Sequence, residues 1–144
     1  MHDEASAFFG GLAGNAGLFS TARDVARVYQ MLLNGGEIDG QRYLSKETCQ
    51  LFTTETSKIS RRGLGFDKPD ADDPKKGNCA PAAPAEVYGH TGFTGTCAWV
   101  DPVNELVYVF LSNRIYPDVT NRKLNQLHIR ERIQGAIYDA MKKK

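Results

Sequence analysis

Long apolar runs are missing from this chain. Nothing in its 144 residues approaches the roughly 18 consecutive apolar residues needed to span a bilayer, and the amino end, Met1-His2-Asp3-Glu4, lacks the charged-then-apolar pattern of a secretion signal. An excess of either charge is missing too. Eighteen Lys and Arg face 17 Asp and Glu for a net charge of +1, which gives no reason to look for nucleic acid. Lys142, Lys143 and Lys144 are a solvated tail by the same reading. Cysteine is scarce and unpaired: Cys49, Cys79 and Cys97 are widely separated with no Cys-x-x-Cys, so neither a zinc knuckle nor a redox dithiol is indicated. Cys49 and Cys97 fall in a predicted helix and strand and read as small core residues, and Cys79 lies in a loop. His2-Asp3-Glu4 is too close-set and too near a terminus for a metal site, and no cofactor is implied.

What is present is a chain of ordinary composition, 41% hydrophobic and 24% charged, long enough for one domain with a real core. After a Gly- and Ala-rich opening, in which Asn15 reads as a turn residue tolerant of a left-handed backbone, Thr21 and Asp24 form a helix start. Val25, Val28, Tyr29, Leu32 and Leu33 then mark one buried stripe, and Asn34-Gly35-Gly36 a stop. Ser45 caps a second helix carrying Thr48, Leu51 and Phe52, and "GLGF" at 63 to 66 reads as a short strand after "SRR". Residues 67–85 hold four of the six prolines and a charge cluster, which predicts an exposed, functional or mobile loop.

Two strands follow, Thr96 to Asp101 and Leu106 to Leu111, reversed at Asp101-Pro102-Val103-Asn104. The second is apolar throughout, so helices should cover both sheet faces. Trp99 packs in the sheet by this reading, and Tyr116-Pro117-Asp118 is a turn. From about Arg122 a last helix buries Ile129, Ile133, Ala136, Ile137, Ala140 and Met141 and turns Arg130, Glu131, Arg132 and Asp139 outward, with His128 on the polar face. The expected fold class is α+β, an antiparallel sheet flanked by helices.

The stretch with the most chemistry is "YGHTGFTG", residues 88 to 95. Glycine within a strand marks close approach of a ligand or another backbone, which suits Gly92. Thr91 and Thr94 offer hydroxyls, His90 a ring that titrates near neutrality, and the N–H after Gly92 a donor for a substrate oxygen. The octapeptide alone also fits a plain glycine-rich hairpin.

Taken together, "HDEASAFFGGLAGNAGLFSTARDVARVYQMLLNGG", "LSKET", "GLGF" and "YGHTGFTGTCAWVDPVNELVYVFLSNR" resemble the serine β-lactamase and penicillin-binding-protein superfamily, in its class C-like branch of β-lactamases, DD-peptidases and esterases. The resemblance covers nearly the whole chain and implies a partial β-lactamase/transpeptidase-like fold. It also implies that His90, Thr91 and Gly92 are the third motif, binding the substrate carboxylate or shaping the cleft with Thr94 nearby, and that the Phe93 backbone N–H is half of an oxyanion hole. The family's Ser-x-x-Lys is absent: Ser6, Ser20, Ser45, Ser57, Ser60 and Ser112 are followed at the third position by Phe9, Arg23, Thr48, Ser60, Gly63 and Ile115. Tyr-x-Asn and Ser-x-Asn are absent as well. The expectation is therefore the carboxyl-terminal portion of one β-lactamase-like domain in a larger enzyme.

The intact parent would open a D-Ala peptide, a β-lactam or an ester through an acyl-serine, acting on a small-molecule or peptidoglycan-like substrate, while residues 1–144 alone are inert. With histidine in place of the motif lysine, peptidase or esterase activity ranks above antibiotic hydrolysis. The family implies a periplasmic or extracytoplasmic site of action, and a truncated sheet implies self-association. The competing reading is a non-enzymatic module that binds cell wall or protein.

Overall fold

A computed structural model describes residues 3–11, 13–54, 59–74 and 76–142; His2 and the Lys143–Lys144 end of the basic tail lie outside them. The chain runs α1 (Glu4–Phe8), α2 (Ala22–Leu33), β1 (Glu37–Ile38), β2 (Gln41–Arg42), α3 (Lys46–Thr53), β3 (Tyr88–Thr91), β4 (Cys97–Asp101), β5 (Leu106–Phe110), α4 (Lys123–Gln126) and α5 (Ile129–Met141). This is the α+β class expected, with antiparallel strands throughout.

The capped helices form where the sequence places them. The Thr21 hydroxyl accepts the Asp24 N–H at 3.2 Å and the Ser45 hydroxyl that of Thr48 at 3.1 Å, each meeting an otherwise orphaned donor. α2 ends at Asn34 with Gly35 and Gly36 both at positive φ. Two short elements carry weaker signals. α1 is opened by Asp3, whose carboxylate accepts the Ser6 N–H at 2.6 Å, and β1 and β2 form a hairpin across Asp39-Gly40, both with positive φ. Asn15 lies in the turn that Ala13 and Ala16 close, without a left-handed backbone.

The main sheet has the order β3-β4-β5, with Gly89 opposite Trp99 and Trp99 opposite Tyr108. Strand alternation sorts its residues. Val87, Gly89, Thr91, Cys97, Trp99, Tyr108 and Phe110 share the face under α5, where Cys79, Val87, Cys97, Trp99 and Tyr108 form the core with Ile137 packed on it. Tyr88, His90, Ala98, Val100, Val107 and Val109 share the other face. There α2 packs against β4 and β5, and Tyr29, Phe66 and Tyr88 stack edge to face at 6.3 and 5.4 Å.

Gly89 is tied on both sides. Its N–H and carbonyl pair with Asp67 at 3.0 and 2.7 Å. With those groups turned to Asp67, Gly89 and Trp99 form the closer, non-hydrogen-bonded type of cross-strand pair. A Cβ at position 89 would lie 2.6 Å from the Trp99 ring and 2.8 Å from its Cα, besides striking the Ala98 carbonyl.

Four expectations are corrected. Residues 63 to 66 form no strand, and the pairing falls one residue later, on Asp67. The loop 67–85 is not exposed throughout: Asp67, Lys68, Gly77, Cys79 and Ala80 are buried because the segment folds back under α5 and over the sheet edge. The α2 stripe is only half-buried, and Val28 is 55% exposed. Finally, α5 is rotated: Arg130, Glu131, Gln134 and Tyr138 are buried, while Ile133, Ala136, Ala140 and Met141 are not.

Specific hydrogen bonds turn α5. Gln134 Oε1 accepts the Ala80 N–H at 2.8 Å, the Tyr138 hydroxyl donates to Asp101 Oδ2 at 2.8 Å, and the Tyr108 hydroxyl donates to the Arg130 carbonyl at 3.1 Å. A buried polar group left unpaired costs about 1 to 3 kcal/mol, so satisfying these groups outweighs covering a few more methyls. The loop is held at its start by Asp67, 1% exposed, which takes Arg61 Nε and Nη2 at 2.8 and 3.1 Å and Asn78 Nδ2 at 2.8 Å. All three cysteines are free and buried; burial pushes the Cys79 thiol up to about 12 and the Cys97 thiol up to about 11, so both are inert thiols.

Burial raises the Asp67 carboxyl, but the Arg61 and Asn78 hydrogen bonds outweigh it and hold the group below the usual carboxylate range. Since the unfolded carboxyl titrates near about 3.9, this contribution is present above that pH and is lost as pH falls through the folded value. Asp67→Asn should therefore cost about 1.5 to 3 kcal/mol in urea unfolding at neutral pH, with the gap to the parent closing under acid conditions. A pH-independent gap would contradict the assignment. Gly89→Ala should cost about 2 kcal/mol or more by the same measurement, and a loss within about 0.5 kcal/mol would show that β3 and β4 are not pressed together as described.

Candidate functional site

The turn after β3 is built by its own backbone. The Gly92 N–H donates to the Thr96 carbonyl at 2.8 Å and the Gly95 N–H to the Gly92 carbonyl at 2.9 Å. Gly95 has φ +94, a conformation that only glycine adopts without strain. The Thr94 carbonyl accepts the Arg114 N–H at 3.0 Å and the Ser112 hydroxyl at 3.1 Å, which ties the turn to the segment after β5. Within the described residues the Phe93 N–H makes no hydrogen bond, and its ring, 63% exposed, lies under the Arg114 guanidinium at 4.9 Å.

Thr91, Gly92 and Phe93 line one wall of a cavity of about 630 Å³. The rest of the lining comes from Lys76 to Asn78 in the long loop, from Arg114, which packs on Phe93, and from the α4–α5 junction with Asn125, His128, Arg130 and Glu131. His128 sits at the break between the two helices with φ +48, so it belongs to the cavity rim and not to a helix face as expected. Arg130 Nη2 donates to Asn125 Oδ1 at 3.2 Å and lies 3.7 Å from Glu131 Oε1. Arg130 Nε and Glu131 Oε2 have no partner among the described residues. Lys76 pairs with Asp73 at 3.1 Å and Arg130 lies beside Glu131, so Arg114 leaves this space with a small surplus of positive charge.

Of the five residues singled out in the sequence, the structure brings Thr91, Gly92 and Phe93 to this cavity and leaves His90 and Thr94 off its wall. Strand alternation is the reason for His90, which points to the other face, where Nη1 of Arg62 lies 3.0 Å from its Nε2. Thr94 is held within the turn by its carbonyl bonds. The remaining wall residues come from three distant segments, and no local spacing identifies them; only the Pro-rich loop carrying Lys76 and Asn78 stood out in advance. A second cavity of about 530 Å³, lined by Leu32, Leu33, Cys49, Lys68 and Tyr88 among others, lies on the α2 and α3 side, away from Thr91–Phe93.

Comparison with known proteins adds the family. Residues 2–131 match the family model described as Beta-lactamase. Proteins named putative D-alanyl-D-alanine carboxypeptidase from Escherichia coli strain K12, Escherichia coli O157:H7 and Salmonella typhi are each 36% identical over 126 residues, 87% of this chain. The chain spans 29% of the length of these relatives. The match over residues 2–131 shows that the chain belongs to the beta-lactamase family, among serine hydrolase-like proteins, and the α+β architecture agrees with it.

Proposed function

We propose that this chain is the binding wall of an acyl-serine hydrolase that opens a D-Ala peptide, with a small ester or a β-lactam as less favoured substrates. The observation that carries the reading is the Phe93 N–H, without an acceptor among the described residues and placed in a cavity wall with Thr91 and Gly92. Such a donor stabilises the oxyanion that forms as a carbonyl is attacked. Gly92 keeps side-chain bulk off the wall, and the Thr91 hydroxyl hydrogen-bonds the ligand. The carboxylate end of the substrate lies toward Lys76, Arg114 and Arg130. The names of the relatives, D-alanyl-D-alanine carboxypeptidases, support a peptide ending in D-Ala. Cell-wall peptides of that kind lie outside the cytoplasm, so the site of action is periplasmic, and among the described residues no helix is long and apolar enough to cross a membrane.

Chemistry itself needs a nucleophile that these 144 residues do not pair with a base, since no serine stands three residues before a lysine. A donor and a wall without a nucleophile retain only residual acceleration. Nitrocefin, p-nitrophenyl acetate and Nα-acetyl-D-alanyl-D-alanine should accordingly show no saturable turnover with the purified chain. The same dipeptide should shift the Thr91, Gly92 and Phe93 amide resonances in a saturable way. Turnover that survives repurification, or shifts confined to other residues, would overturn the proposal.

The chain also presents apolar side chains to solvent. Phe8, Phe9, Leu18 and Phe19 are each more than three-quarters exposed, and α2 adds Val28. Grouped exposure of this kind marks a surface that binds another protein surface. The isolated chain should self-associate in sedimentation velocity, and Phe8→Ser with Phe19→Ser should shift it toward monomer. A clean monomer that binds no hydrophobic dye would remove this surface from consideration.

A further inference from the structure

Both ring nitrogens of His90 have partners within the chain, the Arg62 contact lying at the surface. Arg62 Nη1 lies 3.0 Å from Nε2, and Nδ1 lies 2.6 Å from the Thr91 carbonyl oxygen. A guanidinium has only donors and a carbonyl oxygen only accepts. The two contacts are therefore satisfied together by one form of the ring, the neutral imidazole with its proton on Nδ1 and its lone pair on Nε2. The other neutral tautomer would set donor against donor at Arg62 and lone pair against lone pair at Thr91. A doubly protonated ring would set donor against donor at Arg62.

Arg62 is itself anchored. Its backbone N–H donates to the Ser60 hydroxyl at 3.3 Å, and its Nε lies 4.0 Å from Asp67 Oδ1. Asp67 is clamped by Arg61 and Asn78 and paired through its backbone with Gly89. The connection thus leaves β3 at Gly89, passes through Asp67, Arg62 and His90, and returns to the same strand at Thr91, whose carbonyl carbon opens the peptide leading to Gly92 and Phe93.

We propose that Arg62 is a positioning residue of the Thr91–Phe93 wall: it fixes His90 as the neutral Nδ1–H tautomer, and His90 in turn holds the Thr91 carbonyl. His90 orients the wall through its bond to the Thr91 carbonyl. The link to ligand binding rests on the function proposed above, whereas the state of the ring does not.

The test is ¹⁵N nuclear magnetic resonance of the histidine rings in the full 144-residue chain at neutral pH, with His90→Asn used to assign its signals among the three histidines. The expected spectrum shows a protonated Nδ1 and an unprotonated Nε2. Arg62→Met removes the donor and should move the ring toward the Nε2–H tautomer that histidine prefers in water. The Gly92 and Phe93 amide resonances should shift with it while the Trp99 indole signal stays in place. Arg62→Lys restores a donor and should recover the parent ring signals at least in part. An Nε2–H or doubly protonated ring in the parent, or a tautomer unchanged in Arg62→Met, would overturn the proposal. A tautomer change without movement at Gly92 and Phe93 would overturn the positioning role. Turnover by the chain alone would sink the functional reading without altering these ring signals, so the two failures are distinguishable.

Discussion

The contact between Gly89 and Trp99 is the constraint on which the rest of the structure depends. Because Asp67 takes the hydrogen-bonding groups of Gly89, the glycine meets Trp99 in the tighter kind of cross-strand pair, and only a residue without a side chain leaves room for the indole. Trp99, 1% exposed, fills that space and carries Cys97, Tyr108 and Ile137 around it. The position of β3 follows from this packing, and with it the place of Thr91 two residues further on.

Polar groups define the rest of the frame more than apolar ones do. Asp67 brackets the start of the long loop, Gln134 receives its middle at Ala80, and Asp101 closes the β4–β5 turn by accepting the Val103 and Asn104 N–H groups at 2.9 and 3.0 Å while also accepting from Tyr138. Each is buried and satisfied, so each fixes a direction as well as a distance. The outcome is a cavity lined by the end of β3, the loop and the α4–α5 break, where the Phe93 N–H makes no hydrogen bond among the described residues.

The sequence was legible wherever the signal was local. The Thr21 and Ser45 caps, the glycine stop after Leu33, the two strands around Asp101–Asn104 and the burial of Trp99 all appear as read, because each depends on residues within a turn or a strand of one another. The geometry of residues 90 to 93 was not legible in the same way. The strand period of two sends His90 to Arg62 and Thr91 to the cavity. The α5 stripe failed for a different reason. Its apolar residues do recur at helical spacing, yet the buried side is chosen by the partners that Gln134 and Tyr138 find across 54 and 37 residues of chain.

The sequence by itself determined the capped helices α2 and α3, the strands on either side of Asp101–Asn104 and the family resemblance, since these follow from backbone preference and short-range pattern. It also determined that no serine stands three residues before a lysine. Only the tertiary structure decided which face of α5 is buried, which residues complete the wall opposite Thr91–Phe93, and that His90 is occupied by Arg62. The physical reason is that burial, cavity formation and hydrogen-bond satisfaction depend on groups far apart in the chain, and no local spacing encodes which distant donor will meet which acceptor.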